Sequence, residues 1–189
     1  MNKRRCGWCE GSFEDYILYH DEEWGVPVHD DKKHFEFLIL EGAQAGLSWA
    51  TILKRRNGYR KAFQGFDFEQ VARFTSDHIE KLLRDPGIIR NKLKVRSAVN
   101  NAQRLIEIVG EFGSFDQYIW SFVGGKPIIN DWKVLDDLPA TSPESDRLSK
   151  DLKKRGFSFV GSTIMYAHMQ ACGLVNDHLT TCFRYDEVS

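Results

Sequence analysis

The sequence has little of anything that would mark an exported, fibrous or membrane-embedded chain. Its 189 residues include only four cysteines, Cys6, Cys9, Cys172 and Cys182, too few to frame a secreted domain with disulfides, so reduced thiols serving metal binding or burial are expected. No window approaches the roughly 18 uninterrupted apolar residues of a membrane helix, and Met1 to Trp8 runs into no hydrophobic signal segment. A soluble, cytoplasmic protein without a membrane partner is expected. Neither sign of charge is in excess: 26 Lys and Arg stand against 27 Asp and Glu, a net charge of -1, so a surface that takes a polyanion must be local. Internal repeats and low-complexity tracts are missing too. What is present, 42% apolar and 13% aromatic residues, excludes a disordered chain and suits one large domain or two small lobes sharing a core.

Apolar residues recur at helical spacing. Between Asn91 and Phe112, Val95, Ala98, Val99, Ala102, Leu105, Ile106 and Val109 fall three and four apart, one stripe of a 3.6-residue helix. Asp67 with Gln70 and Ser114 with Gln117 read as capping boxes, and Ser142-Pro143 sets a cap before a proline at the first helical position. Gly156 and Gly173 read as left-handed residues closing helices. Strand signals are weak, and 124–141, with its Asp, Pro and Gly, reads as the longest loop. A mostly α-helical single unit is the expectation.

Three features could carry chemistry. Pro86-Gly87 breaks two helical patterns briefly, and from Lys81 to Arg104 seven cations face one anion, Asp85. A glycine turn opening a helix offers N–H groups to a phosphate, as in helix-hairpin-helix DNA binding; an ordinary antiparallel helix pair with a solvated basic face fits equally well. His178 and Cys182, four apart, with Cys6 and His20 near the other terminus, would make a tetrahedral Cys₂His₂ zinc site clipping the chain ends together. The competing Cys6-Gly7-Trp8-Cys9 redox pair is discounted, because only five residues precede Cys6 and no strand can lead into it. Cys172 reads as a small core residue, while His29, His34, His78 and His168 show no pairing. Glu41 interrupts an apolar run, and a half-buried carboxylate there must either cap backbone groups or await a ligand. Small residues at 42, 43, 45 and 46 leave room beside it. Trp8, Tyr16, Tyr19, Trp24 and Trp49 are rings that could sandwich a flat base or simply fill a core.

Across nearly the whole chain, ordered blocks resemble one family: Cys6-Gly7-Trp8, Tyr19-His20-Asp21 with Glu23-Trp24-Gly25, Leu40-Glu41-Gly42 with Gln44 to Trp49, Gly87-Ile88-Ile89-Arg90, Trp120-Ser121-Phe122-Val123, Leu148 to Val160 and Met169 to His178. The sequence is similar to the bacterial 3-methyladenine DNA glycosylases I, of the helix-hairpin-helix glycosylase superfamily. That resemblance implies a compact all-α fold over 1–189, a hairpin near 77–109, and a structural zinc joining 6–20 to 178–182. It also implies a monomer that excises a methylated purine from double-stranded DNA. By the same resemblance Cys6, His20, His178 and Cys182 ligate zinc and Cys9 does not. Glu41 would accept hydrogen bonds from the flipped base, with Tyr16 and Tyr19 beside it, Trp49 stacking, and Trp8 and Trp24 as walls. Gly46-Leu47 would fill the gap in the duplex, and Gly87, Ile88, Arg90, Lys92 and Lys94 would hold its backbone. The superfamily's usual aspartate beyond the hairpin is missing after Asn91, where Asn100, Asn101 and Gln103 stand; this family is known to lack it. No lysine is assigned a Schiff-base role, so a monofunctional hydrolase is expected. The rival readings are a non-catalytic DNA-binding module and a hydrolase working at the Cys/His metal.

Overall fold

A computed structural model describes residues 3–189. Along them run α1 (Glu14–Glu22), α2 (Asp31–Gln44), α3 (Trp49–Leu53), α4 (Arg56–Ala62), α5 (Phe68–Val71), α6 (Ser76–Leu82), α7 (Lys92–Phe112), α8 (Phe115–Trp120), α9 (Pro143–Lys154), α10 (Ser162–Ala171) and α11 (Arg184–Glu187). Strand β1 (Ile128–Ile129) pairs in parallel with β2 (Val175–Asn176). Two residues are too few to leave an alternating pattern, which is why the sequence shows no strand.

The organising element is α2. Asp30 caps it by accepting the Lys33 N–H at 2.6 Å, and every residue from His34 to Ala43 is buried. A helix without a polar face must be covered all round, and α3, α4, α7, α8 and α10 surround it. Its two buried carboxylates have different fates. Glu36 meets Arg56 of α4 at 2.7 Å, and Arg56 also forks onto Glu23 at 2.6 Å. Against the penalty of burial, hydrogen bonds from Arg56 and Lys33 hold Glu23 down at about 2. Glu41 meets no cation.

The expected boundaries hold in outline. Asn91 caps α7, Ser142 caps α9 with Pro143 first in the helix, and Gly156 and Gly173 follow α9 and α10 with φ of 87° and 69°. Asp67 and Ser114 cap their helices, but neither closes a reciprocal box, because Gln70 returns to the Asp67 side chain and no bond runs back from Gln117. On α7 the stripe turns slightly: Ile106 is 40% exposed, and Ile108 is buried in its place. The 124–141 segment is firmly held. Asn130 and Trp132 donate to Asp177 Oδ1 at 2.7 and 2.8 Å, while Tyr166 and Gln170 fill its other oxygen at 2.7 Å. That anchor delivers Leu138 to the cavity described next.

Candidate active site and metal centre

A cavity of about 230 Å³ opens between α1, α2, α3 and α10. Trp8, Tyr16, Tyr19, Trp24 and Trp49 supply most of its wall; Leu138, Gln44, Ala167, Gln170 and Ala171 complete it around Glu41. The rings brace one another, with Trp8 5.4 Å from Tyr16 and 5.2 Å from Trp24, and Tyr19 5.3 Å from Trp49. This size falls below the roughly 300–1,000 Å³ of drug-sized sites, so the hollow suits one flat ring system. A second hollow shares Glu41, Gln44 and Ala167 and runs to Gly46 and Leu47. Those two residues form an exposed turn between α2 and α3, with Gly46 at φ 77° and Leu47 41% exposed.

Glu41 is more deeply buried than the half-burial expected from sequence, at 3% exposure. The all-round covering of α2 accounts for the difference. Oε2 is hydrogen-bonded to His168 Nδ1 at 2.9 Å, and Oε1 has no partner. Burial therefore pushes the carboxyl well above the usual carboxylate range. The Trp49 indole N–H is likewise buried and unpaired. An orphaned donor and an orphaned acceptor among aromatic faces are costly in a closed core, about 1–3 kcal/mol each, and become useful when a polar ring enters.

Beside the cavity, the ligand atoms of Cys6, His20, His178 and Cys182 lie within 4.8 Å of one another, all four residues buried. Cys182 Sγ is 3.5 Å from His20 Nε2 and 3.6 Å from His178 Nδ1, which is 3.6 Å from Cys6 Sγ. Tetrahedral bonding at Zn–S and Zn–N lengths separates S from N by about 3.6 Å. Each remaining ring nitrogen donates outward, His20 Nδ1 to Asp21 at 2.8 Å and His178 Nε2 to the Trp24 carbonyl at 3.0 Å, which leaves the inward nitrogens free to ligate. The neighbouring Cys6 thiol and the two imidazoles draw the Cys182 thiol down, while Cys182 and burial push Cys6 up. The four residues could hold one metal ion. Cys9 stays outside, its thiol on the Cys6 carbonyl at 3.2 Å and pushed up to about 11 by burial. Trp8 packs 5.1 Å from His20 and Trp24 4.6 Å from His178, so the cluster carries two walls of the cavity.

The basic turn joins α6 to α7 and seats on α4, where a Cβ at Gly58 would strike the Gly87 carbonyl. Lys81, Arg84, Arg90, Lys92 and Arg96 are exposed, and none has a carboxylate within ion-pair distance among the described residues. Two expectations change here. Lys94 is partly buried and donates to the Ala43 and Ala45 carbonyls at 2.8 and 2.6 Å, closing the end of α2 rather than waiting for phosphate. Ile88 has its side chain in the core, which leaves its backbone N–H as the group that can meet a phosphate. Several turn amides are also spent internally, Gly87 on Asp85, Ile89 on the Tyr59 hydroxyl, and Leu93 and Lys94 on Asn91.

Sequence reasoning thus places the five rings and Glu41 together, and the Cys/His quartet together. It misses Gln44, Leu138, Ala167, Gln170 and Ala171, which carry no signal until α2, α10 and the 124–141 segment converge. It also misses His168 and His34, separated by 134 positions yet linked at 3.3 Å. Known proteins resemble this chain over most of its length. Residues 8–185 match the family described as methyladenine glycosylase. DNA-3-methyladenine glycosylase 1 of Escherichia coli (strain K12) is 48% identical over 183 residues, 96% of each chain. A crystal structure of 3-methyladenine DNA glycosylase I superposes with a TM-score of 0.92 at 49% identity, covering 95% of this chain and 98% of that one. A variant of a 3-methyladenine DNA glycosylase I in complex with 3-methyladenine superposes at 0.91, with 37% identity over 95% and 96%.

Proposed function

The chain belongs to the methyladenine glycosylase family and excises 3-methyladenine from alkylated DNA, and from that premise we propose that the cavity around Glu41 is where the flipped base is held and released. Methylation at N3 spreads a positive charge over adenine and weakens its bond to the sugar before the protein acts. Extruding the base costs a few kcal/mol, less when it is damaged. Trp49 stacks on it, Tyr16 and Tyr19 flank it, and Trp8 and Trp24 close the sides; cation–π attraction favours the charged base by about 0.5–2 kcal/mol. Glu41 Oε1 accepts its N–H. Burial disfavours the ionised carboxyl, and a positive base supplies the countercharge that favours it, which neutral adenine cannot do. The glycosidic bond then breaks with its electron pair moving to the base, which leaves neutral. A water oxygen bonds to the sugar carbon, its proton passes to solvent, and an abasic site remains. Neither hollow is lined by lysine, which supports hydrolysis without strand cleavage.

The observation that carries this reading is the buried, unpartnered Glu41 Oε1 inside a box of rings. Chromatography of bases freed from methylated DNA tests it: 3-methyladenine is expected in the soluble fraction with the strand intact, and its absence would overturn the reading. Cys6, His20, His178 and Cys182 would hold a structural zinc, which with four protein ligands has no open position and supplies rigidity to the pocket walls. We read 1–189 as one monomeric, cytoplasmic unit that takes double-stranded DNA on its hairpin near 77–109. Ile88 through its backbone N–H and Arg90 and Lys92 through their side chains meet the backbone, and Gly46-Leu47 enters the gap. Charge reversal at Arg90 and Lys92 is expected to weaken binding to any sequence and to lower the salt slope by about 1 for each phosphate no longer neutralised. A filter-binding series in which affinity and slope do not move would place the DNA elsewhere.

A further inference from the structure

We propose that His168, with its tautomer set by His34, is a positioning residue of the excision reaction, engaging one oxygen of Glu41 so that the other is presented alone to the base. This deepens the reading of Glu41 as the base acceptor and rests on it. His168 is fully buried on α10, and its Nδ1 lies 2.9 Å from Glu41 Oε2. With the cationic base bound and Glu41 ionised, the carboxylate only accepts, so the proton of this bond then sits on Nδ1. A neutral imidazole then leaves Nε2 as an acceptor. It faces His34 Nδ1 at 3.3 Å, with the Cys172 thiol at 3.6 Å as a second donor. His34 thereby carries its own proton on Nδ1, and its Nε2 becomes an acceptor at the outer end of the chain. That atom stands 3.6 Å from Asp116 Oδ1, acceptor against acceptor, and is buried without a hydrogen-bond partner.

Burial holds both histidines near 3, so the pair is neutral and adds a directed donor rather than a charge that would oppose a cationic base. The groups facing this assembly are Tyr19 from α1, Cys172 just past α10, and Asp116 from α8 with His29 3.0 Å from the same Oδ1; α3 brings Trp49, which does not titrate, and α7 brings Lys94, already on the Ala43 and Ala45 carbonyls.

The test compares His168→Leu, which removes the donor, with His168→Asn, whose amide nitrogen can take the place of Nδ1 while breaking the link to His34. Excision by His168→Leu is expected to fall about 10- to 100-fold in kcat/KM. The acid limb of its pH profile should move to higher pH, because a carboxyl without its donor ionises less readily. His168→Asn should restore most of the rate and return the limb, at similar melting temperature. Equal losses in both variants with an unmoved pH profile would reduce His168 to packing. A wild-type zinc content above one per chain, with the excess lost in His168→Asn, would replace the hydrogen-bonded pair by a metal site. If Glu41→Gln itself excises normally, the reading of Glu41 fails instead; if it is impaired while His168→Leu is not, this inference alone fails.

Discussion

Glu41→Gln is expected to lower kcat/KM for 3-methyladenine excision on the order of 100-fold while leaving the protein more stable at neutral pH. A hydrogen bond to a charged group contributes about 1.5–3 kcal/mol, and roughly 1.4 kcal/mol is a tenfold change in rate. Glutamine can still accept from His168, but it cannot become the counter-ion of a cationic base. The stability change has a definite sign. The folded carboxyl sits well above its unfolded value because of burial, so above about pH 4.5 the native state binds more protons than the unfolded state, and stability falls as pH rises until the folded group ionises. Glutamine is free of that loss. The advantage of the variant in melting temperature should vanish near pH 4 and grow toward neutrality, as calorimetry across that range will show. Near-normal excision would remove Glu41 from the reaction.

If the quartet holds the proposed zinc, Cys182→Ala is expected to abolish its binding and with it about 10 °C or more of melting temperature. Its sulfur lies against His20, His178 and Cys6 in a buried cluster, so its loss leaves three donors without their common centre, a defect of about 3–5 kcal/mol, and each kcal/mol shifts a domain of this size by roughly 2–4 °C. Since Trp8 and Trp24 pack on His20 and His178, KM should rise more than kcat falls. Metal analysis and calorimetry decide this together: a variant that keeps one equivalent of zinc shows the ligand set to be wrong. Chelation that stops turnover in a protein still folded would instead favour chemistry at the metal.

How far the sequence reveals these features depends on whether a residue's role is local. The caps at Asn91 and Ser142 and the glycines at 156 and 173 act within a few residues of themselves, and the structure has them as expected. Glu41 stands out because a carboxylate in an apolar run is costly wherever the run is buried. The quartet of Cys6, His20, His178 and Cys182 is readable because ligand types are rare in this chain. Lys94 reads wrongly as a phosphate contact, since composition cannot distinguish a cation facing solvent from one closing the end of α2. His34 and His168 give no signal because their partnership exists only once α2 and α10 cross. Gly58 is unremarkable until the Gly87 carbonyl lies against it.

The most direct measurement is a structure of the protein with free 3-methyladenine and a duplex carrying an abasic-site analogue. Expected is the base between the rings, stacked on Trp49, with one of its N–H groups about 3 Å from Glu41 Oε1 and the His168 bond to Oε2 intact. A base bound elsewhere, or Glu41 Oε1 still unpartnered beside an occupied cavity, would contradict it.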